Sequence, residues 1–188
     1  KIDDITRKID KYLQRSTQVQ SSNYASSDTL DSFYQRIQAL LGQPGASNSL
    51  DTAMTGYFNS VQQLAESPET NSLKSNAISA GVTLAKQLSD LAANVHDLRF
   101  QADTEIGDAV SIVNSSLDKL YKLNGALTQA HSLGQVTAGL LDNRDIELTT
   151  LSQYMNISVS YGEAGNVNVV GGDGVPLLED GVHHELRY

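Results

Sequence analysis

The sequence contains no cysteine, no tryptophan and only three prolines in 188 residues. Without cysteine there is neither a disulfide framework nor a thiolate metal site. Aromatic residues amount to 6% and charged residues to 19%, lean for a compact globule but enough for a thin helix-on-helix core. No apolar run approaches the ~20 residues that span a bilayer, and no signal peptide opens the chain. Basic residues are scarce too: 13 Lys and Arg stand against 22 Asp and Glu, a net charge of −9. This balance argues against a nucleic-acid backbone or an anionic membrane as partner. The acidity is uneven. Residues 137–188 carry eight acids against Arg144 and Arg187, whereas the first fifteen carry five bases against three acids. Lys1 and the unfinished strand pattern before Tyr188 suit an internal fragment that lacks both chain ends.

The placement of the few prolines is informative. None lies between Pro68 and Pro176, which leaves room for a helix from Pro68 to about Ala130, roughly 95 Å at ~1.5 Å per residue. Leu84, Leu88, Leu91, Val95, Leu98 and Ala102 keep a heptad-like step in it, and Leu117, Leu120, Leu123 and Leu127 continue on a shifted frame. Gly81, Gly107 and Gly125 mark possible bends. Upstream, Ile2, Ile5, Ile9, Tyr12, Val19, Leu30, Phe33, Ile37 and Leu40 fall on steps of three and four, with Ser16, Asn23 and Ser26 giving a polar middle. Gly42-Gln43-Pro44-Gly45 ends that helix by turn chemistry. Ser49 caps a second helix with the stripe Leu50, Ala53, Met54, Tyr57, Phe58, Val61 and Leu64. Ser67-Pro68-Glu69 reads as an N-cap, a first-turn proline and a favourable early acid for the long helix. Such a rod needs other helices against its seam.

From Ile157 the period changes to two. Ile157, Val159 and Tyr161, then Val167 and Val169, flank Gly162–Asn166 as a hairpin. Gly171–Gly174 makes a second turn, and Val175–Leu178 and Val182–Leu186 suit further short strands, with Pro176 on an edge. The expected fold is therefore mainly α: an elongated antiparallel helical bundle over 1–156 with a small β hairpin or meander over 157–188.

Strings that match catalytic patterns have simpler readings. Ser116-Leu117-Asp118-Lys119 fits S-x-x-K but falls inside the leucine-bearing rod without its companion motifs. Gly171–Gly174 is followed by no helix that could offer its N-terminus to a phosphate. His183 and His184 are adjacent and face opposite sides of a strand. Asn114-Ser115-Ser116 and Asn156-Ile157-Ser158 are sequons by pattern alone. His96 and His131 have no acid-and-nucleophile set around them. No catalytic, cofactor-binding or metal residue is nominated.

One corner stands out, the run Leu140-Leu141-Asp142-Asn143-Arg144-Asp145 followed by Leu148 and Leu151. Leu141, Leu148 and Leu151 share one face of a short helix, and Asp142, Arg144 and Asp145 are held beside it where helices give way to strands. An arginine between acids suits a fixed salt-bridged joint. The run resembles the L-L-D-x-R-D…L-x-x-L-S signature of the bacterial flagellar hook-associated protein 1 family. Residues 49–68, from Ser49-Leu50 through Tyr57-Phe58 to Leu64-Ala65…Pro68, resemble the family's S-L-x-x-A-L-x-x-F-F-x-A-x-x-L-A-x-x-P run. Asn143, Met54 and Tyr57 depart from it conservatively. The likeness covers about residues 28–181.

The resemblance implies a structural role at the junction between flagellar hook and filament, outside the cell, after export without a cleaved signal. It implies as partners the hook protein, a second junction protein and further copies of the same protein. It also implies an export chaperone near a C-terminus absent from this chain. The isolated fragment is expected to be a monomer and to have no enzymatic activity, and residues 157–188 would begin an outer β domain. A ligand-sensing helical bundle of chemoreceptor type is the alternative, and it requires flanking membrane spans. A peptidoglycan-cleaving enzyme would need a catalytic acid in a groove, and none can be named.

Overall fold

A computed structural model describes residues 11–43, 45, 46 and 49–188. Among them four helices precede four strands: α1 (Lys11–Leu41), α2 (Leu50–Glu66), α3 (Asn71–Ser132), α4 (Ala138–Tyr154), β1 (Ile157–Tyr161), β2 (Val167–Gly171), β3 (Pro176–Glu179) and β4 (Val182–His183). The chain is mainly α with a small antiparallel sheet, as its periodicities predict. It divides into two compact units, Lys1–Thr29 with Glu105–Tyr188 and Leu30–Thr104. Ile2, Ile5 and Ile9 lie outside the described residues.

The first unit holds the main core. Val113, Leu117 and Leu120 of α3 meet Leu148 and Leu151 of α4, Ile157 of β1, Val167 and Val169 of β2, and Leu177 and Leu178 of β3. The strands form a meander in the order β1-β2-β3-β4. Ile157 pairs Gly171 and Tyr161 pairs Val167 across the first hairpin, so the alternating Ile157, Val159, Tyr161, Val167 and Val169 share its inner face.

Pro176 is not on an edge. It starts an inner strand, opposite Val170, beside a register shift between Val169 and Val170. Proline is tolerated there because it occupies the first strand position next to a bulge, where no ladder N–H is required. The extra residue in β3 also lets two successive leucines, Leu177 and Leu178, enter one core.

The second unit is thinly packed. Of its described apolar residues only Ala77 is buried, and α2 buries none. Leu88 and Val95, expected in the seam of the long helix, are about half exposed. The seam that the long helix was expected to bury against other helices is therefore only thinly covered within Leu30–Thr104. Arg36 covers part of the deficit, its guanidinium lying 4.9 Å from the Phe33 ring centroid.

The helix boundaries follow turn chemistry with one correction. Gly42 has a φ of +73°, and its amide donates to the Gln38 carbonyl at 3.1 Å, the left-handed exit predicted for α1. Ser49 sits at the N-cap of α2, but its hydroxyl turns back to the Ala46 carbonyl at 2.7 Å. Ser67-Pro68-Glu69 does not open α3. Ser67 is the C-cap of α2, the Thr70 amide bonds to the Ser67 carbonyl, and α3 begins at Asn71. The proline serves the turn between helices, where its fixed φ is equally at home. Beyond that turn α3 runs through Gly81, Gly107 and Gly125 without interruption.

The largest departure is in α1. Its expected seam includes Tyr12, Val19 and Leu30, yet Tyr12 is 89% exposed and the other two are also exposed. The covered face within residues 12–29 is Gln14, Gln18, Ser21, Ser22 and Ala25. The period is helical as predicted, but the phase is rotated.

Candidate functional site

The corner between α4 and the sheet gathers the residues singled out in the sequence. Helix α4 carries them on successive turns. Leu148 and Leu151 are fully buried, Leu140 and Leu141 are half-buried, and Asp142 is exposed. Arg144 is 3% exposed, an unusual place for a guanidinium unless its donors are used. They are. Nε and Nη2 donate to Asp145 Oδ1 at 2.9 and 2.6 Å, and Nη1 donates to the Gly165 carbonyl at 2.6 Å. The guanidinium carbon lies 5.1 Å from the Tyr161 ring centroid. The acid partner thus comes from the same helix, and the link across space runs to the hairpin tip.

Gly165 makes that link possible. Its φ is +82°, and a Cβ there would lie 2.6 Å from Leu141 Cδ2 and 3.4 Å from Arg144 Nη1. Glycine alone combines the left-handed turn with such close approach. Burial pushes the Tyr161 hydroxyl above the ordinary tyrosine range; the Arg144 charge opposes this, Asp145 adds to it, and a hydrogen bond with Gln18 opposes it. Glu147 belongs to a different joint. It accepts from Lys119 Nζ of α3 at 3.0 Å, so the acids do not converge on one point.

Two asparagines of α3 complete the attachment of the sheet, and sequence reasoning missed both. Asn124 donates from Nδ2 to the Val167 carbonyl at 2.7 Å, while its Oδ1 accepts from the Val167 amide at 2.8 Å. Asn114 does the same for Leu186, at 2.9 and 2.8 Å. The Asn124 amide stands in for a strand beside Val167 of β2, and the Asn114 amide holds the segment that follows β4. The signal was present for Asn124, a lone amide among Leu120, Leu123 and Leu127. For Asn114 the sequon pattern drew attention elsewhere, and both halves of its amide are already engaged.

The remaining candidate strings are structural. Ser116 is buried in α3 while Lys119 reaches Glu147. Gly171–Gly174 closes the β2–β3 turn, with Gly174 N–H donating to the Gly171 carbonyl at 2.9 Å. The His183 ring packs 5.2 Å from that of Tyr121, and no group of three His, Cys, Asp or Glu among the described residues could hold a metal ion. The contacts of these strings position structural elements.

Long helices, a short helix locked by a buried arginine and a four-stranded meander define a mainly helical structural domain. The chain belongs to the family described as the flagellar hook-associated protein FlgK helical domain, whose model matches residues 34–188. It is 24% identical over 170 residues to flagellar hook-associated protein 1 of Bacillus subtilis, covering 90% of this chain and 33% of that protein. It is likewise 24% identical over 143 residues to the Escherichia coli protein of that name, covering 75% and 26%. Its fold is similar to the flagellar hook junction protein FlgK of Burkholderia pseudomallei, with a TM-score of 0.76 and 28% identity over 92% of this chain and 30% of that one. The chain thus spans a third or less of these relatives.

Proposed function

We propose that this chain is the helical domain of a hook–filament junction protein, a structural component of the bacterial flagellum that carries out no reaction. The family match carries the reading, because its range, residues 34–188, takes in α2, α3, the arginine corner and the sheet. In the full-length protein, residues 1–156 would supply the helical part and 157–188 the root of an outer β domain. The two-residue edge strand β4 is short enough for further chain to pair beside it. Partners would be the hook protein, a second junction protein and further copies, with an export chaperone near the C-terminus of the full-length protein. Location would be extracellular, on the flagellum. Neither nucleic acid nor membrane would be bound, consistent with the −9 charge.

The test is deletion and replacement of the full-length gene, with gold-labelled antibody raised against this domain. Expected are bare hooks in the deletion strain, filaments restored by replacement, and label at the hook–filament boundary. Normal filaments in the deletion strain would overturn the proposal. The sensing bundle predicts intact filaments with lost responses, and none of the relatives above is a receptor.

A further inference from the structure

We propose that residues 12–29 of α1 form a releasable strap, docked on the β1 side of the first unit through a polar face and fastened by Gln18 to Tyr161. The face that α1 covers here is Gln14, Gln18, Ser21, Ser22 and Ala25, on steps of three and four. Its larger apolar residues Tyr12, Leu13, Val19 and Tyr24 are all exposed. A helix that turns its amides and hydroxyls inward gains little from burial of apolar surface, which is the usual source of docking energy.

What holds it is specific. Gln18 is the single described side chain of this segment to be buried, at 7% exposure, and it lines one groove with Tyr161. Tyr12, Arg15 and Gln18 face Val159, Ser160 and Tyr161 of β1 across an open groove of about 390 Å³. One turn before Gln18, the Gln14 Oε1 atom is buried without a hydrogen-bond partner. An orphaned buried acceptor opposes docking, because its bond to water is lost on closure and regained on opening. Fastener and weak point thus lie four residues apart on one helix face. Tyr161 is anchored independently by the Arg144 guanidinium over its ring, so the strap can leave while the hairpin stays.

Residues 12–29 are therefore expected to open as one unit, exposing the groove, while α4, β1 and β2 keep their hydrogen bonds. Hydrogen exchange of the 188-residue chain tests this. In Gln18→Ala, amides of residues 12–29 should exchange about five- to tenfold faster, as loss of one neutral hydrogen bond implies, with amides of 157–171 unchanged. Gln14→Leu should slow exchange in the same segment. Unchanged strap exchange in Gln18→Ala would remove the fastener. Equal acceleration of strap and sheet would show a single cooperative unit, and faster strap exchange in Gln14→Leu would refute Gln14 as the weak point. Any of the three overturns the proposal.

Discussion

At the scale of single residues, Arg144 shows why burial decides the value of a charge. On a surface the Arg144–Asp145 pair would contribute little; at 4% and 14% side-chain exposure it is largely shielded from water. Arg144→Ala removes the guanidinium from both Asp145 Oδ1 and the Gly165 carbonyl, and should cost about 2–4 kcal/mol in denaturant melts. Arg144→Lys should recover little of it, since one ammonium cannot reproduce the planar fork. Gly165→Ala is expected to destabilise by about 1–3 kcal/mol through its φ and the contact with Leu141. Adding Leu141→Ala should relieve the steric share and leave the backbone strain, which a double-mutant cycle measures.

Tyr161 gives a pH signature. Its folded-state pKa is raised, so the folded protein keeps a proton that the unfolded chain releases near pH 10. The associated stability is complete below pH 10 and is lost as pH rises through the folded value. Ultraviolet titration should show one of the eight tyrosines ionising late, and Tyr161→Phe should abolish that late step. Asp51 has the opposite sign. The Ser49 hydroxyl nearby and the Gly45 amide, which donates to Oδ2 at 3.1 Å, hold its carboxyl below the ordinary aspartate value. Its contribution is present above that value and lost as pH falls through the folded one. Being exposed, it should affect only the local N-terminus of α2.

At the scale of elements, the sheet is held to the helices by leucines and by two amides. Leu148→Ala removes a fully buried side chain at the centre of that packing and should cost about 2–5 kcal/mol by cavity formation. Asn124→Leu leaves both backbone groups of Val167 without partners in a buried position, and should cost about 2–4 kcal/mol. Asn114→Leu should cost less, because the Leu186 groups are only partly buried and water can replace the amide. Equal effects of the two changes in thermal melts would contradict this ordering. The bulge in β3 works at the same scale, since deleting Leu177 would restore a continuous register and leave Leu178 alone of the two leucines in the core.

At the scale of the whole molecule, the two units differ in how much apolar surface they bury. Residues 105–188 contain the ten-residue core cluster, whereas residues 30–104 bury one alanine among the described apolar side chains. Native-state hydrogen exchange should therefore find lower protection across 50–100 than across 113–171. Uniform protection would show that the exposed stripes are covered in solution. Association follows from the same imbalance. The net charge of −9 opposes self-contact at low salt, while Leu30, Tyr34, Ile37 and Leu41 present an exposed apolar stripe at heptad spacing. Sedimentation is expected to show a monomer at micromolar concentration in low salt, with association appearing as salt screens the charge. A stable dimer already at low salt would count for the sensing bundle.

The order and kind of the elements are legible in the amino-acid pattern, because helical and strand periods are local properties and the turns are written in Gly42, the Gly162–Asn166 loop and Gly171–Gly174. It also located the corner at Arg144, since leucines at helical spacing around an arginine between acids have few other uses. Which partner the arginine would choose was not legible. The Gly165 carbonyl is twenty-one residues away, and a backbone acceptor leaves no mark in side-chain spacing. Nor could spacing name the partners of Asn114 and Asn124, which are again backbone groups. Periodicity defines the faces of a helix but not which of them another element covers. In α1 the apolar face was readable and the polar face is the one that docks, a choice made where Gln18 meets Tyr161 and only tertiary structure brings them together.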